Sequence, residues 1–132
     1  MKNKKSMIFD AQIFSDLCDS KEIHSCAIVT SLKKDHIIHS FCETFCIEMK
    51  KVRENVEFFV DDVFLNTSTD TLSLVLATSP HENVVSYRIC KSCDAVLIVE
   101  RYGHSLHYVF DEMIVFLREH NFDILGVISI TD

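Results

Sequence analysis

The stretch "AIVTSLKKDHIIHSF", residues 27–41, decides how the rest of the chain is read. An apolar run stops at Thr30-Ser31, a short polar loop follows, and from Ile38 the apolar residues recur at helical spacing through Phe41, Cys42, Phe45, Met49 and Val52. That is a strand, a loop and an amphipathic helix. In α/β proteins this junction is where phosphate is held, by backbone N–H groups at the helix N-terminus. The loop nevertheless contains no glycine.

Four more apolar runs extend the pattern. They are "VEFFV" (56–60), "LSLVLA" (72–77), "AVLIV" (95–99) and "ILGVISI" (124–130), beside "SCAIVT" (25–30). All are continuous rather than alternating, as strands covered on both faces of a parallel sheet are. A helix is predicted over 82–92 with Val84, Val85 and Ile89 as its apolar positions, and another on Leu106, Val109, Phe110, Met113, Ile114 and Leu117. A further helix is predicted over 7–18, with Phe9, Ile13, Phe14 and Leu17 on one side. The expectation is one α/β domain over residues 1–132, with helices on a mostly parallel five-stranded sheet.

Composition agrees with a folded domain: the 132 residues are 48% hydrophobic and 25% charged. The net charge of −7 argues against broad nucleic-acid binding, which needs a basic surface. The basic groups Lys2, Lys4, Lys5 and Lys50, Lys51, Arg53 read as solvated ends. No apolar stretch approaches the ~20 residues that span a bilayer, and the start lacks a secretory signal, so a cytoplasmic location is expected. The six cysteines then read as reduced thiols in core positions.

Two stretches in the back half, "CKSCDAVLIVERYGHS" (90–105) and "FLREHNFDILGVISI" (116–130), closely resemble bacterial tyrosine kinases of the capsular polysaccharide type. These are relatives of the MinD/ParA deviant-Walker P-loop ATPases. Cys93-Asp94, the strand, Arg101-Tyr102-Gly103 and Leu125-Gly126-Val127 match in order. More loosely, "DSKEIHSCAIVTS" (19–31), "VEFFVDD" (56–62) and "LSLVLATSP" (72–80) resemble the segments around the family's P-loop, second deviant Walker motif and Walker B strand. The resemblance implies a three-layer, P-loop NTPase-like α/β/α fold with strand order 2-3-1-4-5.

The family's chemistry does not follow its fold here. Counting on from Thr30-Ser31, the glycine positions fall on Asp35 and Ile37, the lysine on Ile38 and the hydroxyl pair on His39 and Ser40. Asp35 reads as a carboxylate that repels a triphosphate. Asp61 matches the first deviant Walker aspartate, but the second falls on Val63, the Walker B aspartate on Ala77 and the adenine-side asparagine on Ile130. Ser40 and Asp61 are the residual family positions. The helical "DAQIFSD" (10–16) offers Asp10 and none of the arginines of the family's oligomerisation pattern, and the tyrosine-rich tail is missing.

The expectation is a pseudoenzyme without cofactor: an ATP-binding-deficient protein-interaction module in capsule or exopolysaccharide biosynthesis. By resemblance its partner is a membrane-bound chain-length regulator or a kinase of the same family, which would recruit it to the inner face of the membrane. Arg101, Tyr102 and Ser105 are the expected partner-binding residues, Arg101 and Tyr102 because both read as able to reach solvent. The alternative is an active ATPase or protein-tyrosine kinase with unorthodox residues, Asp61 and Ser40 among them. Two weaker constellations remain open. Cys90 and Cys93 with Cys42 and Cys46 read as a thiol or zinc site, and His36, His39 and His81 at the sheet's C-terminal edge read as an anion or metal site.

Overall fold

The computed structural model describes residues 4–60 and 70–131, with side chains from residue 11 onward. Asp61 and Val63 lie outside the described residues, as do the side chains of Phe9 and Asp10. The order of elements is α1 (Lys4–Lys21), β1 (Ser25–Thr30), α2 (His36–Val52), β2 (Val56–Val60), β3 (Leu72–Thr78), α3 (Val84–Ser92), β4 (Ala95–Arg101), α4 (His107–Glu119) and β5 (Ile124–Ile130).

The strands form one sheet in the order β2-β3-β1-β4-β5, and every described pairing is parallel. All six residues of β1 are buried, as are the first six of β3 and of β4, while β2 and β5 are partly exposed. The runs of β1, β3 and β4 therefore belong to strands that helices cover on both faces, whereas those of β2 and β5 lie at the sheet's edges.

The two faces carry separate cores. Phe14 and Cys18 of α1 and Ile38, Phe41, Phe45 and Met49 of α2 pack on Ile28, Leu74 and Leu97. On the opposite face, Ile89 and Cys90 of α3 and Met113 and Leu117 of α4 pack on Val29, Val75 and Ile98. The connection through α2 runs from β1 toward the β2 edge, whereas the one through α3 crosses from β3 over to β4. Right-handed crossovers running in opposite directions place their helices on opposite faces, which produces the three layers.

Three helical faces differ from the sequence reading; at α4, Leu106 is the N-cap residue and is 57% exposed, and Met113 and Leu117 are the buried positions. In α1 the buried stripe is Ala11, Phe14, Ser15 and Cys18, while Ile13 is 50% exposed. Small residues let the helix lie close to its neighbour, and the bulky Ile13 is turned outward. In α3 the buried residues are Ser86, Ile89 and Cys90, and Val84 and Val85 are exposed. Asn83 sets that rotation by accepting the N–H groups of Val85 and Ser86 as N-cap.

Candidate functional site

The chain leaves β1 toward one side of the sheet and reaches β4 on the other. The C-terminal ends of β1 and β4 therefore flank the switch point where doubly wound sheets bind ligands. The residues there are Thr30 and Ser31 from β1, and Glu100, Arg101 and Ser105 from the end of β4 and its loop. Asp35, the residue before α2, completes the group.

Asp35 determines what this crevice can hold. Its Oδ1 accepts the N–H groups of Ile37 at 2.9 Å and Ile38 at 3.0 Å, so it is the N-cap of α2. Its Oδ2 accepts from Arg101 Nη1 at 2.8 Å, with the two side chains only 13% and 15% exposed. Burial alone would raise the Asp35 carboxyl, but the Arg101 guanidinium and the Ile38 and Ile37 N–H groups outweigh it and hold the carboxyl below its ordinary range. The anion at this helix N-terminus thus belongs to the protein, and its positive counterpart is already spent on it.

The loop before the cap explains how the turn is made without glycine. Lys34 adopts a left-handed backbone with φ 44°, a conformation that glycine enters without steric cost. Ile38, the position that the resemblance gave to a P-loop's lysine, is 1% exposed and belongs to the core under α2. Ser40 is exposed on α2. Ala77, where the resemblance expected the Walker B aspartate, is fully buried in β3.

Glu100 closes the other half of the crevice. It is 6% exposed, and its Oε1 accepts from Ser31 Oγ at 2.7 Å, Ser105 Oγ at 2.7 Å and Thr30 Oγ1 at 3.2 Å. Its Oε2 accepts the Ser31 N–H at 2.8 Å. A buried carboxylate with four donors is satisfied without a metal ion or a basic side chain.

The expected partner-binding residues therefore separate. Tyr102 is 76% exposed beside Gly103, whose φ of 83° forms the turn after β4. Arg101 is drawn in by Asp35, with its side chain 15% exposed and its Nη2 3.3 Å from His104 Nε2. Ser105 is half-buried and engaged with Glu100, and its Oγ also accepts the Arg101 N–H at 3.2 Å.

The three histidines do not converge. His36 and His39 line a cavity of about 200 Å³ with Asp35, Ile38 and Thr78. His39 also pairs with Glu43 at 2.9 Å. The His81 side chain is 6% exposed and lies instead against Phe116, in a separate groove with Tyr87 and His120. Cys42, Cys46 and Cys90 are buried and Cys93 is half-buried, and burial pushes the thiols of Cys42, Cys90 and Cys93 up to about 12. Among the described residues no three His, Cys, Asp or Glu side chains are placed to hold a metal ion. A further cavity of about 550 Å³ is lined by Asp19, Arg53 and Asp70 at the sheet's N-terminal edge, away from the switch point.

Sequence reasoning missed the Asp35–Arg101 pair and the Glu100 cluster. The signals were present: an aspartate directly before a helical period is an N-cap, and the predicted order already set the ends of β1 and β4 side by side. No described helix is long and apolar enough to cross a membrane. No protein-family model, no curated protein and no solved structure matches this chain.

Proposed function

We propose that this chain is a non-catalytic relative of the capsular tyrosine kinases that does not bind ATP. It acts as an interaction module in capsule or exopolysaccharide biosynthesis or its regulation. The observation that carries the reading is the Asp35 carboxylate on the N-terminus of α2, paired with Arg101. A nucleotide phosphate would have to displace a bonded carboxylate from those N–H groups, and the position that the resemblance gives to the P-loop lysine is the buried Ile38. The family itself rests on the sequence likeness over 90–105 and 116–130.

The partner in this reading is a membrane-bound chain-length regulator or a kinase of the same type, met at the cytoplasmic face of the membrane. Tyr102 is the anchor: an exposed aromatic on a short turn, beside a cavity of about 280 Å³ that Phe110 and Val127 also line. The test is capture of the purified cytoplasmic segments of such a regulator and such a kinase by the wild-type chain and by Tyr102→Ala. Capture that falls at least tenfold in the variant, with unchanged circular dichroism, is the expected result. Equal capture by both chains, or capture of neither segment, refutes this assignment.

A further inference from the structure

β5 is an edge strand, and among the described residues nothing pairs with its outer side. Natural edge strands are protected by lysines, prolines, bulges or cover. Residues Ile124–Ile130 contain no charge and no proline, and the one irregularity lies at the start of the strand, where its register against β4 shifts. The other edge strand, β2, carries an exposed Glu57 within its five residues.

The outward-facing groups can be assigned. The Ile130 carbonyl accepts the Tyr102 N–H at 2.8 Å, and Ile130 is in register with Arg101. Alternation along a parallel strand then turns the main-chain groups of Ile128 toward β4 and those of Val127 and Ser129 outward. A groove flanks this edge on each face of the sheet. One, of about 240 Å³, lies between Ile13 and Leu17 of α1 and the residues Leu125–Ser129. The other, of about 280 Å³, lies against Tyr102 and Phe110. Both include Val127 and Ser129, and Val127 is 52% exposed.

We propose that β5 pairs antiparallel with β5 of a second copy of this chain, about a two-fold axis near Val127, joining the two sheets into one. The strand's lack of charge permits this occupant. A net charge of −7 on each copy opposes association, so two copies can pair only where no like charges are brought together. Leu125–Thr131 is such a face, and at its start Asp123 is paired with Lys21 at 3.2 Å. An antiparallel strand is its own complement, so the two-fold sets apolar and hydroxyl side chains opposite one another and opposes no like charges.

Size agrees with the same occupant. A seven-residue strand runs about 23 Å, and three layers at about 10 Å each make the edge face about 30 Å deep, or roughly 700 Å². A standard interface takes about a tenth of a small protein's surface per partner, and the surface here is 7387 Å².

The test is light scattering coupled to size-exclusion chromatography over a wide concentration range, on the intact chain and on Val127→Lys and Ser129→Lys. The expected result is twice the 15.2 kDa chain mass for wild type, and the single mass for both variants with unchanged circular dichroism. A wild-type chain that runs at 15.2 kDa at every concentration overturns the proposal, as do folded lysine variants that remain dimers. If both lysine variants lose their fold, Val127→Cys decides. A disulfide-linked dimer on mild oxidation supports edge pairing, and its absence overturns it.

Discussion

Replacing Asp35 removes two supports at once, and two substitutions separate them. Asp35→Ala deletes the cap of α2, worth about 1 kcal/mol, and the favourable charge at that helix terminus, worth about 0.5 kcal/mol. It also leaves the Arg101 guanidinium, 15% exposed, without its carboxylate. An exposed ion pair is worth about 0–1 kcal/mol, while breaking a fully buried one costs about 3–5 kcal/mol. A pair with side chains 13% and 15% exposed falls between, at about 2 kcal/mol. The sum for Asp35→Ala is about 3.5 kcal/mol. Asparagine caps as well as aspartate does but neither pairs with arginine nor carries the charge, so Asp35→Asn should cost about 2.5 kcal/mol.

Urea unfolding followed by circular dichroism measures both, and at a slope of about 1.5 kcal/mol/M the alanine variant should lose about 2 M in midpoint. The pH dependence has a definite sign. The folded Asp35 carboxyl is held below its ordinary value of 3.8, so the unfolded chain binds more protons as the pH falls. Its contribution is complete above about pH 5 and is lost below that, as the pH falls through the folded value. Asp35→Asn should lack this part of the acid limb. An alanine variant within about 0.5 kcal/mol of wild type, the range of an ordinary surface change, would refute the reasoning.

Other positions give independent checks. Glu100→Ala strips four donors of their acceptor and should cost about 3 kcal/mol in the same urea assay, and a loss under about 1 kcal/mol would mean that water replaces the carboxylate freely. Lys34→Gly relieves a left-handed backbone at φ 44° and should leave stability unchanged or raise it by up to about 1 kcal/mol; a loss of more than about 0.5 kcal/mol would contradict that account. At pH 8, Cys18, Cys42, Cys90 and Cys93, with thiols near 12 rather than 9.0, should carry about a thousandfold less thiolate than in the unfolded chain. They should react with Ellman's reagent only after urea is added, so rapid reaction of any of the four in the native protein would refute their burial.

The sheet was legible because its evidence is local. A strand buried on both faces reads as a continuous apolar run, and β1, β3 and β4 are of that kind. The order followed from the resemblance and agrees with the pairings found. Helix faces were less legible where small residues form the contact: Ala11, Ser15 and Ser86 are buried while Ile13 and Val84 are not, and hydrophobicity alone ranks them the other way. The site was least legible because its bonds are long-range. Asp35 and Arg101 are 66 residues apart, and Ser31 and Glu100 are 69 apart. A reading that treats each residue by its own charge sees a repelling aspartate and an exposed arginine. Together they form one largely buried ion pair.

The central claim is that the protein's own carboxylate occupies the phosphate position of this loop, and calorimetric titration with ATP and magnesium tests it most directly. The account predicts no saturable heat at physiological nucleotide concentrations. It predicts the same for Ala77→Asp, since one restored carboxylate has no formed loop to act with. A dissociation constant in the micromolar range for the wild-type chain would contradict it.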